Sequence, residues 1–425
     1  MMQGEHELRR TVVAEMHLRR WPPLRAGMTV IQILRKVDAV ERDAEQATLA
    51  DLPDGANVTQ SPNPRHLYWQ IDANIVFNWE RHSEASATTL FIAEDADLAI
   101  APGGHEHLAP AMEWLGRMPG KIVRATRIAI VADESDAAAL LPQAGFEPMD
   151  LVSCHIAGGA RIWSDYHLRP DGFGLVVVAA NGLSGGDLSR TVQRLQELGN
   201  YRNLALLGFP VAQAGWKKLD AIEGRLATLG TQVGQPDVTD DALLADVTGL
   251  SMELMTEIAA SDFRMSATAA YARIVEQRLD DLQIRPCAGF QSLTDFTQRR
   301  FLPAVRTCAA HRQRAETLSD RTGQFVALFR TRIETRIENQ NGRLLHSMDR
   351  SIATQLRMQE LVEGLSVVAL TYYGVGLIGT MLKGAGKLVP DSHASVISAA
   401  LVPILALATW LSIRHLKKRV HRAND

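Results

Sequence analysis

The densest run of chemistry-bearing side chains is Trp79-Glu80-Arg81-His82-Ser83-Glu84, where two carboxylates, a guanidinium, an imidazole and a hydroxyl crowd together. Such a set can move a proton or hold a charged ligand, because carboxylates and imidazoles are the usual acid–base groups near neutral pH. Strand alternation places Glu80 and His82 on one face and Arg81 on the other, so the plain expectation is a cross-strand ion pair beside a turn histidine, with Glu84 just beyond. Asp165 and His167 also share a face. Glu197, Tyr201 and Arg202 fall together on a helix, where a carboxylate–arginine clamp is expected, and His17 and Arg19 before Trp21-Pro22-Pro23 stay unassigned.

None of these sets announces an enzyme. The chain has no G-x-x-x-x-G-K-[ST], G-x-G-x-x-G, H-E-x-x-H or C-x-x-C, and Gly158-Gly159 and Gly185-Gly186 read as turn and helix-start glycines. No cofactor is expected. The three cysteines, Cys154, Cys287 and Cys308, match no metal or redox spacing and read as reduced packing residues. The formal charge of −3 excludes a chain built as a whole to bind nucleic acid.

The elements that must position these residues fall into an α+β class with an antiparallel or mixed sheet. At 425 residues there is room for about two to three domains. A sheet domain is expected over 1–182. It opens with a helix, HELRRTVVAEMHLRR, stopped by Pro22 and Pro23, and continues with a strand, MTVIQIL. Leu67 to Glu94 alternates as three antiparallel strands, and a helix near Glu106 to Met118 leads to the strand IVRATRIAIVAD. A second meander turns at Gly158-Gly159 and at Pro170-Asp171-Gly172.

A helical region follows over 183–292, opened by Ser184 and Asp187 and stopped or kinked at Pro210, with helical spacing from Leu243 to Gln283. Residues 293–360 read as one long stalk helix. Leu318, Phe325, Ile333, Ile337, Leu344, Met348, Ile352 and Leu356 form its apolar stripe, whose cover is either the preceding helices or the same helix of neighbouring subunits. Between Arg299 and Arg357 the stalk holds a dozen arginines, no lysine and fewer than half as many acids, suited to anionic headgroups or to a ring around an ion path.

The stalk runs into apolar residues 361–382, LVEGLSVVALTYYGVGLIGTML, and a second apolar run covers 396–413, within an expected transmembrane hairpin at 361–414. The tail 415–425 is basic, with Lys417, Lys418, Arg419 and Arg422, against Lys383, Lys387 and Asp391 in the intervening loop. The excess of positive charge places the tail in the cytoplasm, and a hairpin returns the chain to the side it left. The polar start MMQGEHELRR lacks the apolar run of a signal peptide and agrees with cytoplasmic ends. Tyr373, Gly374, Val375, Gly376 and Gly379 in the first span are candidates for a pore lining or for close helix packing, and Asn339 and Asn341 on the stalk are candidates for a polar path. The partners expected are the lipid bilayer, further copies of the chain and an unidentified cytosolic partner, without nucleic acid.

The segments ERHSEAS, HIAGGARIWSDYHLRPDGFG, NYRNLALLGFP, FRMSATAAY, QRRFLPAVRTC and ENQNGRLLHSMDRSIATQLRMQELVEGLSVVALTYYGVGL together resemble the family of domain of unknown function 3422. That resemblance implies a bacterial protein anchored in the inner membrane and adds no activity. The order of parts also resembles CorA-type magnesium channels, in which a cytosolic α/β domain precedes a stalk helix, two spans and a basic tail. Those channels carry Tyr-Gly-Met-Asn at the pore mouth. Here Tyr373-Gly374-Val375-Gly376 lacks the amide and lies in mid-span, so magnesium selectivity does not carry over. Two roles remain open: an anchored binding or scaffold protein, and a CorA-like divalent cation channel.

Overall fold

Alternating apolar residues and β-branched side chains build one sheet, and long helices cover it. The computed structural model describes residues 6–15, 21–51, 57–59, 65–93, 96–100, 108–384 and 391–424. His17, Arg19, the start of the helix expected near Glu106, and Lys387 lie outside these. The chain divides into two units, Met1–Val326 and Ala327–Asp425.

In the first unit α1 (Arg9–Glu15) precedes β1 (Thr29–Lys36), and a polar helix α2 (Glu41–Ala50), not expected from the sequence, follows. The meander β2 (Asn57–Thr59), β3 (His66–Gln70), β4 (Ile75–Arg81) and β5 (Ala85–Ile92) pairs antiparallel throughout. Next come α3 (Ala109–Arg117), β6 (Lys121–Val131) and α4 (Glu134–Leu140). The second meander, β7 (Val152–His155), β8 (Arg161–Ser164) and β9 (Gly174–Ala179), turns at the expected places. With a short β10 (Arg285–Pro286), the strand order among the described residues is β10-β7-β8-β9-β6-β1-β5-β4-β3-β2. The sheet is mixed. Among the described residues its one parallel strand pair is β6 with β9, and β1 pairs with both β5 and β6, joining the two meanders.

A buried polar row crosses this sheet. In register, Thr126 on β6 meets Gln32 on β1, Gln32 meets Thr89 on β5, and Thr89 meets Asn78 on β4. All four side chains are buried, and Gln32 donates from Nε2 to Thr89 Oγ1 at 3.0 Å. Helix α5 (Gly185–Leu206) docks on the row through Asn200, whose Nδ2 donates to Gln32 Oε1 at 2.9 Å and whose Oδ1 accepts from Arg124 at 2.9 Å. Buried amides need such partners, so the row fixes where α5 lies.

Ser184 flanks the start of α5, yet its side chain makes no capping bond, and Asp187 pairs with Arg190. The break before α6 (Gly208–Gln232) falls at Leu207, and Pro210 sits in the first turn of α6, where its missing amide removes no helical bond. Helix α7 (Asp240–Asp281) is capped by Thr239, and α8 (Leu293–Arg300) by Ser292. The stalk expected from residue 293 thus starts with α8, is interrupted at Phe301, and resumes as α9 (Leu302–Gly384), with Pro303 in the first turn.

The second unit contains the end of α9 and α10 (Asp391–Asn424). Among the described residues one helix is long and apolar enough to cross a membrane, and only 6% of its most apolar stretch is buried. A core helix of similar composition would be mostly buried. A shorter apolar segment, Ala399–His415, lies in α10. A Cβ placed on Gly374 would sit 3.7 Å from Leu405 Cδ1, so the two helices approach at that point.

Candidate functional site

The turn between β4 and β5 forms one wall of a polar cavity of about 250 Å³, lined by Arg65, Arg81, His82, Ser83, Tyr201, Tyr271 and Ile274. Its rim is set by the backbone. The Arg81 amide donates to the Arg65 carbonyl at 2.8 Å, which holds the two arginines side by side, and the His82 amide closes the turn on the Ala85 carbonyl at 2.8 Å. Arg42 on α2 braces the turn from outside, donating to Ser86 Oγ at 2.8 Å and to Glu45 Oε2 at 3.0 Å. The opposite wall comes from α5 and α7. Tyr201 and Tyr271 stand with ring centroids 5.6 Å apart, and His82 meets Tyr201 edge-on at 5.9 Å.

Beneath this lining lies Glu84, buried and gripped by both terminal nitrogens of Arg264 on α7. The Tyr271 hydroxyl also bonds to Glu84. Burial, followed by the charge and the hydrogen bond of Glu84, pushes the Tyr271 phenol above its ordinary value, so it remains a donor. The carboxylate is therefore committed to the wall. Among the described residues no acidic side chain lines the cavity itself, and two guanidiniums do. The arrangement favours an anion small enough for the volume, held by charge-assisted bonds with tyrosine faces beside it.

The structure rearranges the cluster expected from the sequence. Arg81 and His82, assigned to opposite faces by alternation, line one cavity, because β4 ends at Arg81 and the chain reverses there. Glu80 points instead into the sheet–helix layer, where it accepts from Trp21 Nε1 at 3.3 Å and Asn78 Nδ2 at 3.1 Å. Glu84 pairs with a helix rather than with a neighbouring strand. Nothing in the sequence linked Arg65, Tyr271 or Arg264 to this cluster, since all three are separated from it along the chain.

The other expected pairs part company. Asp165 is fully buried and accepts from the Glu147 and His167 amides and from Arg169 Nη1, whereas the His167 ring lies 3.3 Å from Asp150. Glu197 pairs with Arg278 on α7 at 2.6 Å, not with Arg202. Residues five apart on a helix do not face each other. Arg202 is buried 4.6 Å over the Tyr166 ring, which stacks on Phe296 at 4.5 Å. Burial lowers both Arg202 and Arg124, the latter to about 9 with the like charge of Arg202 as the second cause.

In the second unit Val375 and Gly376 line an apolar groove of about 740 Å³ together with Tyr372, Tyr373, Val402 and Ala406. Gly374 faces Leu405, and Gly379 lies further along the same helix. Asn339 and Asn341 are exposed on α9. Among the described residues no cluster of three or more His, Cys, Asp or Glu side chains is arranged to hold a metal.

No curated protein and no solved structure matches the chain, so the resemblance to CorA-type channels gains no support. A family model described as protein of unknown function (DUF3422) matches residues 4–420. The match covers nearly the whole length, and the chain belongs to the DUF3422 family.

Proposed function

We propose that this protein is a membrane-anchored binding protein that holds a small anionic ligand in the cavity at the β4–β5 turn. The observation that carries the anchor is the apolar stretch of α9, of which 6% is buried, since so much apolar surface on one helix needs lipid or other helices around it. In this reading α9 and α10 cross the inner membrane of a bacterium as a hairpin, with the basic tail and the sheet unit both in the cytoplasm. Copies assemble through the exposed stripe of Leu344, Met348, Ile352 and Leu356 and through the groove beside Gly374 and Gly376.

The test is the mass of the detergent-purified full chain, followed by divalent-cation flux in liposomes. An oligomer that binds anions and passes no cations supports the proposal. A protein washed off membranes at alkaline pH would overturn the anchor, and cation flux would favour the CorA-like channel instead.

A further inference from the structure

Cysteine 287 does not sit among packing residues as the sequence suggested. Cys154 and Cys308 are buried, and burial pushes each thiol up to about 11, but Cys287, just after β10, is only partly buried. The pairing of β10 with β7 sets Arg285 opposite His155 and Pro286 opposite Cys154. This brings Cys287 Sγ to 3.3 Å from His155 Nδ1. The other ring nitrogen, Nε2, lies 3.0 Å from Glu134 Oε1 at the start of α4.

Glu134 is itself fixed. Arg161, opposite His155 on β8, donates from Nη1 to Glu134 Oε2 at 2.5 Å and from Nε to Ser153 Oγ at 3.0 Å. Asn181 Nδ2 lies 3.4 Å from Glu134 Oε1 and donates to the Gly159 carbonyl at 2.9 Å. The bond from Arg161 is the first cause, with His155 contributing, that holds the Glu134 carboxyl below its ordinary value, so it is an anion when the imidazole needs one. With Nε2–H directed at that carboxylate, Nδ1 is left to accept from the thiol.

The geometry points to a thiol nucleophile, Cys287, served by His155 as general base and oriented by Glu134, acting on an acyl ester or thioester. A nucleophile in hydrogen-bond reach of a base, itself aligned by a third group, is the arrangement that activates a weak nucleophile. Sγ attacks the acyl carbonyl carbon as its proton passes to His155 Nδ1. The S–C bond forms, the ester C–O or thioester C–S bond breaks, and the leaving oxygen or sulfur takes the proton back from Nδ1. Water, deprotonated by the same nitrogen, then releases the acid and restores the thiol. Phe290, exposed three residues on, has its ring 5.4 Å from the Arg161 guanidinium and its amide bonded to the Cys287 carbonyl at 3.2 Å, and offers an apolar surface near the cluster. Disulfide chemistry is a poorer fit, because the neighbouring Cys154 thiol is buried and pushed to about 11.

The test uses the full chain in detergent and p-nitrophenyl acetate as the probe. A burst of about one nitrophenolate per chain is expected, with the acetyl group on the Cys287 peptide and none on those of Cys154 or Cys308. Cys287→Ser removes the burst, and His155→Asn slows acylation by about 10²-fold or more. Glu134→Gln slows it less, in keeping with a positioning role. A second measurement needs no variant: the acylation rate of Cys287 is compared with that of N-acetylcysteine at the same pH. A rate no higher than that of the free thiol overturns the proposal, as does a folded His155→Asn protein that reacts as fast as the parent.

Discussion

Glu84 and Arg264 lie 180 positions apart and meet as a buried two-point ion pair, with Nη1 donating to Oε1 at 2.9 Å and Nη2 to Oε2. Each residue keeps 8% of its surface exposed. The pair ties the β4–β5 turn to α7, and through Tyr271 it sets one wall of the polar cavity.

Breaking one side of this pair leaves a buried charge uncompensated, which typically costs about 3–5 kcal/mol. Glu84→Gln is therefore expected to lower the denaturation midpoint of the full chain strongly. Adding Arg264→Met should recover part of the loss, since the stranded guanidinium is then gone. Chemical denaturation of the two single variants and the double variant gives the coupling directly, and strictly additive losses would contradict it.

Gly199 lies in the middle of α5, where alanine would ordinarily favour the helix by roughly 0.5–1 kcal/mol. Here a Cβ would meet the Arg124 guanidinium at 2.6–2.7 Å. Gly199→Ala is expected to destabilise by about 1–3 kcal/mol, because the arginine must leave Asn200. A thermal shift upward would show that Arg124 moves aside freely.

His311 is fully buried in α9 against Gly215 and beside Glu257, and among the described residues neither ring nitrogen has a hydrogen-bond partner. Burial lowers its pKa, with Glu257 opposing in part. A base whose folded pKa is depressed binds its proton less readily than the unfolded chain does. Its stabilising contribution is whole above about 6.5, the unfolded value, and is lost as pH falls toward the folded one. Melting temperatures from pH 7.5 to 5 should therefore fall more steeply in the parent than in His311→Gln. Parallel profiles would remove His311 as the cause.

The cavity at the β4–β5 turn should concentrate small anions. Millimolar phosphate is expected to raise the melting temperature of the parent, and Arg81→Ala to remove most of that rise while leaving the melting temperature without phosphate nearly unchanged, because Arg81 is on the rim. An equal rise in both proteins would place phosphate elsewhere.

The meander β3–β5 was legible because each strand alternates and its turns are local, and the turns at Gly158-Gly159 and Pro170-Asp171-Gly172 were legible for the same reason. The parallel pairing of β6 with β9 was not, since nothing near either strand specifies a partner reached only through a crossover. Helix α2 was missed because its sequence, ERDAEQATLA, is polar and buries little beyond Glu45 and Leu49. Within the cavity, Arg81 and His82 were visible as chemistry but not as neighbours, for alternation fails once a strand ends. Tyr271 and the union of Glu134, His155 and Cys287 depend on elements far apart in the chain, which periodicity cannot bring together.

The anchor is tested most directly by labelling engineered cysteines with a membrane-impermeant maleimide in intact cells, one at Ser392→Cys at the start of α10 and one at Arg422→Cys in the tail. Labelling of the first in intact cells, and of the second only after permeabilisation, is the result expected of a hairpin with its tail in the cytoplasm. Labelling of the tail in intact cells, or of neither site until the membrane is opened, would contradict it.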